Sequence, residues 1–150
     1  MFDREANLIR VIGKVAIFGD LHGQLYDMFY IFDKLVEDPT MVDTMLFLGN
    51  YINRGMYSIE VFVYLCVMKL EHPESVILLR GNHESRHCSE TYNFRKQCLE
   101  YYDEEVYELF LETFNLLPLA ATVNGKYLAM HGGISINLLD LDSIDYTYRK

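Results

Sequence analysis

The chain has 150 residues, 51% of them hydrophobic and 14% aromatic, with twelve tyrosines, no tryptophan and a formal charge of −9. That length supports one hydrophobic core rather than two ordinary domains, and the apolar content excludes a disordered chain. No cluster of Lys and Arg is present to release counterions, which excludes nucleic acid as a partner; the acids peak instead at Asp103, Glu104, Glu105 and Glu108, read as a solvated helix face.

The chain opens on a polar arm, residues 1–13, whose Asp3, Arg4, Glu5, Asn7 and Arg10 leave no apolar signal-peptide core. Branched and aromatic residues then predict a strand over Lys14 to Phe18. Leu25, Met28, Phe29, Phe32, Leu35 and Val36 recur at helical spacing and predict a helix from His22 to Val36, stopped by Glu37-Asp38-Pro39. A second strand is predicted over Thr44 to Leu48. Tyr57 to Glu71 is too long for a strand and reads as a helix buried on most sides, with a stop at His72-Pro73. Its apolar run, Ile59 to Leu70, is broken by Glu60 and Lys69 and falls short of the roughly 20 residues of a bilayer span.

A third strand is predicted over Val76 to Leu79. Ser85 to Leu117 carries no strand signal and reads as two helices, Glu90 to Tyr101 and Glu104 to Phe114, the second capped by Asp103. Asn124-Gly125 between Leu119 to Val123 and Lys126 to Met130 predicts a hairpin that aims His131 outward. Cys66, Cys88 and Cys98 show no Cys-x-x-Cys spacing and read as reduced intracellular thiols, Cys66 packing as a small hydrophobe.

Four of these apolar runs end in polar blocks: Gly19-Asp20-Leu21-His22-Gly23, Gly49-Asn50-Tyr51-Ile52-Asn53-Arg54-Gly55, Gly81-Asn82-His83-Glu84 and His131-Gly132-Gly133. Open α/β sheets place their ligands at such a gathered sheet edge. Asp20 and His22, two apart beyond a strand, can turn oxygen and imidazole onto one cation. Each residue alone has an ordinary alternative: His22 as a surface or capping histidine, Asn82 as an Asx turn, His83 as a satisfied loop histidine, Arg54 as a surface arginine. Their joint occurrence in this order carries the argument.

Together the blocks resemble the phosphoprotein phosphatase family of Ser/Thr metallophosphatases, whose pattern reads Gly-Asp-x-His-Gly, Gly-Asp-x-Val-Asp-Arg-Gly, Gly-Asn-His-Glu, His-Gly-Gly. The resemblance runs from Lys14 to Asp145 and is strongest toward the calcineurin branch through Leu78 to His87 and Leu117 to Ala121. It implies an α/β fold, the calcineurin-like metallophosphatase fold in part: its first βαβαβ half, a helical insertion and a β-hairpin over residues 14–150. It implies that Asp20 and His22 hold one metal, Asn82 and His131 a second, and that position 50 bridges them. It further implies His83 as general acid, position 53 as its orienter, and Arg54 as the phosphate grip. Two dications stabilise both oxygens of an in-line displacement, nitrogen and oxygen donors suit iron, manganese or zinc, and an arginine fork matches phosphate.

Three positions depart from that pattern, Ile52 standing where valine is usual and two asparagines where the family has aspartate. Asn50 stands where the family bridges its metals with aspartate, and an amide offers one neutral oxygen and an NH2 that cannot ligate. Unit charges 4 Å apart are worth about 4 kcal/mol at an effective dielectric of 20, so the expected content is one divalent or trivalent cation rather than a bridged pair. Asn53 replaces the aspartate bound to the catalytic histidine; in the serine-protease triad the comparable change costs about 10⁴ in rate. The chain also matches only the first half of the family's catalytic domain, and the later half supplies another metal histidine and another phosphate arginine.

The expectation is therefore an intracellular, cytoplasmic phosphatase-like domain, catalytically impaired and acting as a binding or structural module. An active Ser/Thr phosphatase completed by a further segment or partner is the alternative, and small-phosphoester hydrolysis a third. A protein partner or self-association is expected at the hairpin Leu119 to Met130 or along the tyrosine-rich helices Tyr92 to Tyr107, with phosphoproteins as further candidates and no membrane span.

Overall fold

Among the described residues, short runs of branched and aromatic residues form six strands, and longer runs with a one-sided apolar stripe form the helices between them. The computed structural model describes residues 2–37, 42–136 and 138–149, with the Val36 side chain outside that description. In order come β1 (Leu8–Val11), β2 (Val15–Phe18), α1 (Leu25–Val36), β3 (Thr44–Phe47), α2 (Ser58–Glu71) and β4 (Val76–Leu78). They are followed by α3 (Arg86–Thr91), α4 (Phe94–Tyr101), α5 (Glu104–Leu116), β5 (Ala120–Val123) and β6 (Tyr127–Met130), with short 3-10 turns at Phe2–Arg4 and Asp142–Tyr146. The predicted stop of α1 at Asp38-Pro39 lies outside the described residues.

Two three-stranded sheets result, ordered β2-β3-β4 and β1-β5-β6. The first is parallel throughout, crossed over by α1 and α2, while β5 and β6 form the predicted antiparallel hairpin. Residues 1–13, expected as an arm, contribute Phe2 to the core and the strand β1, which pairs parallel with β5 in the register Leu8↔Ala120 to Val11↔Val123.

Alternation along the strands sorts the core into two layers. Phe47 points to the helices, where Phe18 stacks on it at 4.4 Å and Met28, Phe62, Leu65, Phe94 and Phe114 complete the packing. Its neighbour Leu46 points the other way, joining Ile77 and Leu79 against Val11, Ala121 and Val123 of the second sheet. Truncating Phe47, wholly buried, to alanine costs about 3–5 kcal/mol.

Three expectations are corrected. The helix predicted from His22 begins only at Leu25, because His22 and Gly23 sit at φ 43° and 69°, outside helical space. The first inserted helix splits into α3 and α4, with Ser85 Oγ capping α3 through the Cys88 N–H. Helix α2 is half open: Val63, Val67 and Leu70 are exposed while Ile59, Val61, Phe62 and Leu65 are buried.

Asp103 does cap α5, accepting the Val106 N–H at 2.9 Å. Of the acids near it, Glu104 and Glu108 are paired with Arg95 and Arg86. No helix among the described residues is long and apolar enough to cross a membrane.

Candidate functional site

Each polar block begins within three residues of the carboxyl end of a strand, so β2, β3, β4 and β6 deliver Asp20, Asn50, Asn82 and His131 to one place. The loops interlock through glycine. Gly49 lies at φ 107° with the Gly81 backbone against its Cα, leaving no room for a side chain. Backbone hydrogen bonds complete the weave: Leu21 and His22 N–H donate to Asn50 O at 3.0 and 2.9 Å, and Gly55 N–H donates to His22 O at 2.8 Å.

His22, Asn50, Asn53 and Arg54 all have positive φ, between 43° and 69°. Non-glycine residues in this region cluster at functional sites, and asparagine tolerates it best. Glu84, the last residue of the third block, organises these loops from below. Fully buried, its carboxylate accepts N–H bonds from Asn50 at 2.7 Å, Tyr51 at 2.9 Å and Gly81 at 3.0 Å. Burial raises its pKa, and those backbone donors oppose the rise. An acid directly following three motif residues was the signal available for it.

Asp20 stands at the centre of the cluster. Its Oδ2 lies 3.2 Å from His22 Nε2 and 3.1 Å from Asn50 Nδ2, and its Oδ1 lies 3.9 Å from His131 Nδ1. His22 Nδ1 is 2.7 Å from Ile52 O, which can only accept, so Nδ1 carries the proton and Nε2 presents a lone pair. That Nε2 is buried and has no hydrogen-bond partner among the described residues. An orphaned imidazole nitrogen beside a carboxylate is a donor pair fit for one cation. On the far side His131 Nε2 lies 2.8 Å from Asn82 Oδ1.

The position between them does not fit a bridge. Asn50 Oδ1 accepts the His83 N–H at 3.0 Å, and this fixes the amide so that its NH2 faces Asp20. A donor aimed at the central carboxylate occupies the side from which an aspartate would offer a second anionic oxygen. Among the described residues no group of three or more His, Cys, Asp and Glu side chains converges as a metal site.

Asn53 repeats the arrangement one layer back. Its Oδ1 accepts the Phe94 N–H at 3.1 Å, and its Nδ2 lies 2.9 Å from His83 Nδ1. The NH2 must donate, which leaves the His83 proton on Nε2. His83 is itself buried, its ring 4.7 Å edge-on from His22 and 4.9 Å from Tyr92. Burial, then repulsion from His22 and Arg54, pushes its pKa below the usual histidine value, with Asp20 pulling in the opposite sense. Arg54 is exposed, and its guanidinium makes no hydrogen bond within the described residues. The structure thus brings every sequence-derived site residue to one cluster. It buries Tyr107 against Ser89 Oγ, so that tyrosine leaves the expected surface patch while Tyr92, Tyr101 and Tyr102 stay exposed.

Comparison with known proteins places the chain. A family model described as calcineurin-like phosphoesterase matches residues 13–150. The serine/threonine-protein phosphatase 2B catalytic subunit A2 of Saccharomyces cerevisiae is 42% identical over 145 residues, 97% of this chain and 24% of that protein. A solved protein serine/threonine phosphatase from Saccharomyces cerevisiae, described as similar to human PP5, superposes with a TM-score of 0.91 at 32% identity, covering 99% of this chain and 49% of its own. The cold-active protein-tyrosine phosphatase of a psychrophilic Shewanella shares the fold at a TM-score of 0.71 and 20% identity, covering 99% of this chain and 51% of its own. The chain thus spans about a quarter of the first relative and half of each solved structure.

Proposed function

This chain belongs to the calcineurin-like phosphoesterase family, in its Ser/Thr phosphoprotein phosphatase branch, and from that premise we propose a phosphatase-like domain whose catalytic centre is impaired and which serves as a binding or structural module. One observation carries the reading: both amides turn their NH2 inward, Asn50 toward Asp20 and Asn53 toward His83, each pinned by a backbone N–H on its oxygen.

In this reading Asp20 and His22 hold a single cation, with Asn82 and His131 on the far side and no anionic bridge at Asn50. When bound, a metal in this family supplies Lewis-acid polarisation and lowers the pKa of water. Arg54 is free to grip a phosphate with its planar fork. His83 is the failing part. To release a proton to a leaving alkoxide it must first become imidazolium, which places an N–H on Nδ1 against the Asn53 NH2, and its depressed pKa keeps it neutral near pH 7. An aspartate at 53 accepts from both Phe94 and His83; an asparagine cannot.

A second reading, an active Ser/Thr phosphatase completed by further residues, is favoured by the open Arg54 and by relatives that extend well beyond the chain. Turnover of a phosphoserine peptide, with metal counted in the same sample, separates the two. The impaired reading expects background turnover from the native chain. Robust hydrolysis with two cations bound rejects it. If N50D/N53D binds two cations without gaining activity, residues outside this chain limit turnover and the amides do not. An intracellular, cytoplasmic setting and a protein partner belong to the same proposal, supported by three free cysteines and exposed Tyr92, Tyr101, Tyr102 and Tyr127.

A further inference from the structure

Helices α2 and α5 run beside one another and leave an apolar groove of about 390 Å³ open to solvent on the side away from the sheet. Val63, Val67 and Leu70 of α2 form one wall; Val106, Leu109 and Phe110 of α5 form the other. Val63, Val67, Leu70 and Leu109 are 45%, 47%, 66% and 55% exposed, so the groove gathers four open apolar side chains in one place. The lining hydroxyl, Thr113 Oγ1, already donates to Leu109 O at 2.8 Å, so the groove makes no polar demand on what fills it.

Its rims are acidic. Glu60 and Glu71 follow the apolar wall of α2, and Glu105 and Glu112 that of α5; all four are exposed and none forms an ion pair among the described residues. The acids on the other side of α5 differ, since Glu104 and Glu108 are neutralised by Arg95 and Arg86. The only lysine of α2, Lys69, is buried and paired with Glu5, and α5 has no basic residue. Unneutralised carboxylates are thus concentrated along an apolar trough.

We propose that the α2/α5 groove docks an amphipathic helix of a partner protein that carries an apolar stripe flanked by Lys and Arg. A helix with apolar residues at i, i+3, i+4 and i+7 matches the roughly 10 Å between Val63 and Leu70 along α2. A second copy of this chain is disfavoured, because its own α2 and α5 would bring acidic rims against acidic rims.

The test uses the full chain and a fluorescein-labelled Leu/Lys peptide of about 15 residues with that apolar spacing, read by anisotropy. Saturable binding is expected, weakened at least tenfold by Leu109→Glu in the exposed α5 wall and by E105K/E112K on the rim, with both variants retaining native circular dichroism. Affinity should fall as salt rises, since the rim charges are exposed. Three results overturn the proposal: equal binding of a scrambled peptide of the same composition, no loss in Leu109→Glu, or sedimentation showing a dimer that Leu109→Glu dissociates. The last assigns the groove to a second copy.

Discussion

Asn53 and His83 meet nitrogen to nitrogen: Asn53 Nδ2 lies 2.9 Å from His83 Nδ1 while Asn53 Oδ1 takes the Phe94 N–H at 3.1 Å. The backbone donor of α4 decides which end of the amide faces the imidazole. A neutral side chain at this position therefore removes a charge and also selects a tautomer, which the loss of charge alone does not require.

His83 should titrate below the ordinary histidine value of about 6.5, with its proton on Nε2 above that pH. Nitrogen-15 NMR of the imidazole reads both quantities. Asn53→Asp should raise the pKa and move the proton to Nδ1. A histidine whose folded pKa is depressed contributes stability that is complete above its unfolded pKa and is lost as pH falls through the folded value. Urea midpoints of the metal-free native chain should accordingly fall as pH drops below about 6.5, and Asn53→Asp should flatten that part of the profile.

Glu84 holds two loops by three amides, and its removal should be felt as stability before function. Glu84→Ala leaves the Asn50, Tyr51 and Gly81 N–H groups buried without acceptors and should cost about 3 kcal/mol or more. Glu84→Gln keeps one acceptor oxygen and should cost less. Urea unfolding of both variants checks the order.

The sequence carried the polar blocks and the strand ends that present them, because each block is local and punctuated by glycine. It did not carry β1: Leu8–Val11 is four residues long, interrupted by Arg10, and its partner β5 lies near the other end of the chain. Nor did it carry the amide orientations. The Phe94 N–H that fixes Asn53 is 41 residues away, and the His83 N–H that fixes Asn50 is 33 away. Long-range donors of this kind leave no local pattern. Helix α2 misled for another reason, since Val63, Val67 and Leu70 are as apolar as a buried face and are nevertheless exposed.

Gly49 should accept no substitution. At φ 107° and against the Gly81 backbone, even alanine meets both strain and overlap, and Gly49→Ala should cost about 3 kcal/mol or more. Gly125, at φ 62° with open space around its Cα, should lose only the strain part in Gly125→Ala. Thermal melts of the two variants side by side distinguish crowding from backbone conformation.

Burial pushes the Cys66 and Cys98 thiols up to about 12. At pH 8 both should react with iodoacetamide roughly a thousandfold more slowly than an unperturbed thiol of pKa about 8.5. Unfolding in urea should abolish the difference. Mass spectrometry of tryptic peptides, with and without urea, measures it directly.

The central claim is that the Asn50 NH2, turned toward Asp20, denies the cluster an anionic bridge between two cations. Equilibrium dialysis of the native chain against manganese or zinc, with metal counted by atomic emission, tests it most directly. The account predicts no more than one tightly held cation per chain, lost in Asp20→Ala, and a second gained in Asn50→Asp. Two tightly held cations on the native chain would contradict it.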